Sequence, residues 1–202
     1  MTRGHNDAGK RRDTRANVED QQPAEYGCAR LNPAPCAIHQ YRLNISDLDE
    51  VLKYLRELGE CNRVNIILFN ADRMAGRVHV EAAIAHAFRA FREGQPVSNS
   101  VEMESLLYAA GSRQCQQGKG FGVHLGENRA YLCICPGNKR VQSALQQVGK
   151  YCDEEDWEPL SEEKQSLLME LFGITVDELG VVGSNRFQDL VLERVALLEV
   201  YR

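Results

Sequence analysis

Three short apolar runs at residues 37–43 (AIHQYRL), 64–69 (VNIILF) and 130–135 (AYLCIC) constrain this chain more than any other feature. Each is too brief for a stable helix, and each stops at a turn or polar break, the last at Pro136-Gly137. The first alternates and the second reads as a buried strand, so all three are predicted β-strands. Between them the apolar period changes to that of a helix. Residues 45–58 place Leu48, Val51, Leu52, Leu55 and Leu58 on one side behind a Ser46 or Asp47 cap, with Gly59 closing the helix. After the second run, the chain turns through Ala75-Gly76 into a helix whose stripe is Val80, Ile84, Ala87, Phe88 and Phe91.

Gly94 and Pro96 break the chain again. Asn99 and Glu102 have capping-box spacing, and a short helix then carries Val101, Leu106 and Leu107 up to Gly111. Asn138 caps a further helix through Val148, with Gly149 at its end. The last fifty residues read as helical: residues 161–172, a T-x-x-E turn at Thr175, and a final helix over 184–201. The expected fold is therefore α+β, a small β-sheet covered by helices with a helical C-terminal part. The order of the strands stays open.

Residues 1–35 are polar, charged and punctuated by proline, and no stretch of them buries an apolar face; a disordered N-terminal extension is expected there. Residues 36–202 are expected to form a single globular domain, for which 43% apolar residues suffice. No stretch reaches the roughly 20 apolar residues that a membrane helix needs, and the N-terminus lacks the apolar block of a secretory signal. A cytoplasmic protein is expected. Seven cysteines form no evenly spaced framework, which favours a reducing compartment.

The net charge of −5 is unevenly distributed. Residues 1–70 are neutral, residues 71–151 carry ten basic against six acidic side chains, and residues 152–202 carry four against thirteen. Phosphate attraction is local and screened beyond about 10 Å. The basic middle is therefore able to face RNA while the acidic end faces another partner.

The run 99–114, NSVEMESLLYAAGSRQ, carries the most chemistry. It opens on a capped helix and turns tightly at Gly111. Arg113 and Gln114 follow, a pair suited to phosphates and base edges, and Tyr108 supplies a possible stacking ring. By itself such a run also fits a capped core helix followed by a polar turn. Two blocks precede it: Ala71-Asp72-Arg73-Met74-Ala75-Gly76 and Ala90-Phe91-Arg92-Glu93-Gly94. In this order and spacing the three blocks resemble the kinase-binding subunit of KEOPS, the archaeal and eukaryotic assembly that makes threonylcarbamoyl-adenosine in tRNAs. The similarity spans roughly residues 37 to 150. Ala110 stands where that family usually has serine, and Cys115 where it has an aliphatic residue.

The resemblance implies a non-catalytic regulatory subunit that binds the kinase-like ATPase of the complex directly and the other subunits indirectly. It also implies that the chain helps recruit the tRNA CCA end while a separate subunit modifies the anticodon loop. Single-stranded ends are recognised by stacking and base-edge hydrogen bonds. The residues expected to meet tRNA are Arg73, Asn99, Ser100, Tyr108, Arg113, Gln114 and Lys119. The final helix is apolar on more than one stripe, as burial against both this domain and a partner requires. Its expected partner-binding residues are Phe187, Leu190, Val191, Arg194, Leu197 and Leu198, although burial inside this domain alone fits the same pattern. A protein-only adaptor of the kinase, with no RNA contact, remains the alternative.

Other motifs read more plainly. Residues 116–122 (QQGKGFG) suggest a phosphate loop, but no G-K-[ST] follows, and a mobile loop is expected. Cys133 and Cys135 share one strand face without the paired spacing of a zinc site, and are expected to be buried small hydrophobes. His79 and His86 are expected to be satisfied surface histidines. No nucleophile stands at motif spacing from a base, so no enzymatic activity, cofactor, metal or small-molecule substrate is expected.

Overall fold

The structure, a computed structural model, describes residues 35–200. The expectation of disorder for residues 1–35 lies outside the described residues except at Pro35, and Tyr201 lies outside them too. In chain order the elements are β1 (Ala37–Ile45), α1 (Leu48–Asn62), β2 (Asn65–Asn70), a 3-10 turn at Ala71–Arg73, α2 (Arg77–Arg92), α3 (Val101–Ala109) and α4 (Cys115–Gly120). There follow β3 (Gly126–Cys135), α5 (Lys139–Leu145), β4 (Lys150–Tyr151), α6 (Glu162–Phe172), α7 (Val176–Val182), a 3-10 turn at Ser184–Arg186 and α8 (Phe187–Val200).

The strands form one antiparallel sheet in the order β2-β3-β1-β4. Successive side chains of a strand point to opposite faces, and here both faces are buried. Ile67, Phe69, Tyr131 and Cys133 point to a core shared with α2, α3, α6 and α8. Ile66, Leu68, Leu132, Ile134, Tyr41 and Leu43 point to a second core closed by α1 and α5. Burial on both faces explains why the β2 and β3 runs are continuously apolar, and the α+β expectation holds.

Local signals placed several boundaries well. Asn138 accepts hydrogen bonds from the Arg140 and Val141 amides, Ser161 caps α6, and Thr175 and Glu178 close a reciprocal capping box on α7. Asp47 rather than Ser46 caps α1. Other expectations fail for stated reasons. Gly59 does not end α1: it is buried in the last turn, where a Cβ would stand 2.8 Å from the Val64 carbonyl oxygen, and Arg63 ends the helix at φ 56°. Ser100, not Asn99, caps α3, because Glu102 turns instead to the Asn65 amide at 2.8 Å.

Residues 116–122 are not a mobile loop. Cys115–Gly120 forms a helix whose buried Gly118 lies so near Leu107 that a Cβ would meet that side chain at 3.0 Å. The fourth strand, β4, has only two residues and so no readable period. It reaches β1 because Gly149 is bare there: a Cβ would lie 2.5 Å from the Arg42 carbonyl oxygen. The helix expected to run through Val148 accordingly stops at Leu145.

Cys36 and Cys135 form a disulfide at the joined ends of β1 and β3, with Cα atoms 4.4 Å apart. The absence of a spaced framework did not announce this pair, since it is the sheet register that brings the two together. Cys133 is a buried free thiol, pushed well above the usual thiol range by burial, and behaves as a small hydrophobe. Among the described residues no helix is long and apolar enough to cross a membrane. No group of three or more His, Cys, Asp or Glu among them is able to hold a metal ion.

Candidate functional site

The first and third motif blocks, separate in sequence, meet at one buried histidine near the start of α2, the helix whose far end carries the second. His79 Nδ1 accepts from the Ala75 amide at 3.1 Å, and Nε2 lies 3.0 Å from the Ala109 carbonyl oxygen. An amide only donates and a carbonyl only accepts, which fixes the proton on Nε2. Burial depresses its pKa to about 4, opposed by the Ala109 hydrogen bond and reinforced by the charge of Lys164. The surface-histidine expectation is thus overturned for His79, which is 0% exposed. A signal existed: Ala83, Ala87 and Ala90 continue the stripe of His79 along α2 and are fully buried. His86 is half-buried and bonds Glu199 of α8 at 2.7 Å.

From this lock α3 runs between two exposed polar ends. At its N-terminal end, Ser100 accepts from the Met103 amide at 3.2 Å, and Asn99 and Ser100 are exposed. Just inside, the Glu104 carboxylate is 1% exposed and accepts from the amides of Val97 and Ser98. At the other end Gly111 takes φ 56°, a left-handed turn natural to glycine. Arg113 and Gln114 follow, exposed at the start of α4, with Lys119 exposed in its last turn. Arg73 is half-buried and reaches toward α4, where a Cβ on Gly120 would lie 2.8 Å from Nη1. None of Arg73, Arg113 and Lys119 has an ion pair among the described residues.

The expected tRNA residues therefore do not form one cluster. Helix α3 has nine residues, about 13 Å at 1.5 Å per residue, which separates Asn99 and Ser100 from the group Arg73, Arg113, Gln114 and Lys119. Tyr108 belongs to neither end: it is 1% exposed and stacks on His86 at 5.2 Å between ring centroids. Its place in α3, between the buried Leu107 and Ala109, turns the ring inward.

The expected partner residues of α8 divide similarly. Phe187, Leu190 and Val191 are buried in the core with α2 and α6, so their apolar surface is satisfied inside this chain. Leu198 is half-buried against the same core. Arg194 pairs with Glu178 of α7 at 2.6 Å. Leu197 is half-buried and packs against neither core cluster. With Val200, 73% exposed, it marks the outer side of the helix.

Trp157 was not singled out from the sequence. The register sets Arg42 opposite Arg129, and Trp157 lies beneath both guanidinium groups, 5.8 and 4.7 Å from its ring centroid. Glu155 accepts from Arg42 and from the indole N–H, and these bonds hold its carboxyl down to about 2. A cleft of about 290 Å³ opens beside this pin, lined by Asp72, Arg129, Lys164 and Leu167 among others. No residue of the expected sites lines it.

The described residues thus form a helix-covered antiparallel sheet with exposed polar groups at both ends of one short helix. No protein-family model matches the chain. The chain is 28% identical over 134 residues to the regulatory protein Cgi121 of Methanocaldococcus jannaschii, an alignment covering 66% of this chain and 82% of that protein. This relationship bears out the resemblance carried by the three motif blocks.

Proposed function

We propose that this chain is the non-catalytic regulatory subunit of a KEOPS assembly, working in the cytoplasm. It binds the kinase-like ATPase subunit and helps recruit the CCA end of tRNA for threonylcarbamoyl-adenosine formation in the anticodon loop. The observation that carries this reading is that His79 fastens the first motif block to the third, at Ala75 and Ala109, in a chain similar to a protein named as regulatory. Arg73, Arg113 and Lys119, with no ion pair among the described residues, favour contact with phosphate, and the outer side of α8 is a surface for the partner.

Co-expression with the kinase-like subunit, followed by titration with a CCA-ended single-stranded oligonucleotide, tests both halves. Co-purification and saturable, salt-sensitive binding are expected. Failure to co-purify would defeat the kinase half. The protein-only adaptor gains from the burial of Tyr108, which removes the one stacking ring assigned to RNA. Co-purification without oligonucleotide binding would establish the adaptor instead.

A further inference from the structure

We propose that Glu104 is a positioning residue which pre-forms the loop 97–100 so that Asn99 meets an unstacked base of single-stranded RNA. This inference rests on the RNA-binding reading above. The carboxylate is 1% exposed and has no ion pair among the described residues. A buried charge without a counter-ion is costly unless hydrogen bonds replace its water. Here every such bond comes from the loop. The Ser98 amide donates to Oε2 at 2.7 Å, and the Val97 amide to Oε2 at 3.0 Å and Oε1 at 3.2 Å. The Ser98 hydroxyl shares its proton between Oε2 at 2.8 Å and the Ser100 carbonyl oxygen at 2.9 Å.

Helix α3 does not need this carboxylate as a cap, because Ser100 already serves there. What Glu104 fixes is the backbone immediately before Asn99. Asn99 is exposed, and its side-chain amide makes no hydrogen bond among the described residues. That amide offers two donors and one acceptor, the pattern that reads a base edge once the base is unstacked. Fixing the loop in advance lowers the ordering cost of binding. Glu104 thus acts through Asn99 without touching the ligand.

The test is a double-mutant cycle in the full chain, read by fluorescence anisotropy with a CCA-ended single-stranded oligonucleotide, with melting curves to establish folding. Glu104→Gln is expected to weaken binding about tenfold, the scale of one charge-assisted hydrogen bond. In the Asn99→Ala background the same substitution is expected to cost nothing more, because the group it positions is gone. Glu104→Gln binding as tightly as wild type, or losses that multiply in the double variant, would overturn the proposal. Should Glu104→Gln fail to fold, Ser98→Ala removes one donor from the same carboxylate and carries the same cycle. A wild-type chain that ignores the oligonucleotide would defeat the RNA reading itself, whereas wild-type binding untouched by Glu104→Gln removes only the positioning role.

Discussion

His79 and Ala109 are joined by a hydrogen bond of 3.0 Å that fastens the first turn of α2 to the last turn of α3 inside the core. One small ring thereby connects the glycine turn before α2 to the segment that leads into Arg113 and Gln114.

The histidine makes stability depend on pH. Its folded pKa is about 4 against an ordinary 6.5, so between these values the unfolded chain binds a proton that the folded chain refuses. The stabilisation is complete above 6.5 and is lost as pH falls toward 4, roughly 3 kcal/mol at 1.36 kcal/mol per unit. Urea unfolding from pH 7 to pH 4 should show this loss. His79→Gln should flatten it, and an equal slope in that variant would count against the assignment.

Arg113 is exposed at the turn into α4 and carries no ion pair among the described residues, so Arg113→Glu should leave folding within about 0.5 kcal/mol of wild type. Binding of a CCA-ended oligonucleotide should fall at least tenfold, since an attraction to phosphate becomes a repulsion. Unchanged binding would remove Arg113 from the RNA surface.

On α8 two leucines should behave oppositely. Leu190 is 5% exposed, and Leu190→Ala should cost about 2 to 5 kcal/mol by opening a cavity, whatever the partner. Leu197→Arg should barely change stability but abolish co-purification with the kinase-like subunit, because a charge would be buried at the interface. Intact co-purification by Leu197→Arg would exclude the outer side of α8 as the docking surface.

Gly149→Ala should lower stability by about 1 to 3 kcal/mol, since the added methyl would collide with the Arg42 carbonyl and the Tyr41 ring that hold β4 to the sheet. Thermal unfolding gives the measurement. A neutral result would mean that β4 moves away without consequence.

The sequence was most legible where a feature is local. The caps at Asn138, Ser161 and Thr175 depend on side chains bonding amides two or three residues ahead, so residue type and spacing suffice. Glu102 shows the limit of such rules: its spacing from Asn99 suits a capping box, yet Asn65 of β2 competes for its carboxylate and Ser100 takes the cap. Tyr108 and His79 failed for a related reason. Periodicity says which residues share a helix face, but not whether that face meets water or another element.

What the sequence determined by itself was the alternation of short apolar runs with amphipathic helices, and the three motif blocks whose resemblance the similarity to Cgi121 bears out. The tertiary structure alone decided which polar groups stay exposed. Packing buried Tyr108, Phe187, Leu190 and Val191, and the nine-residue length of α3 held Asn99 apart from Arg113. It also joined Cys36 to Cys135 and set Trp157 under two arginines that face each other across β1 and β3. These pairings link residues far apart in the chain. No local spacing encodes them, because strand register and the burial of both sheet faces bring them together.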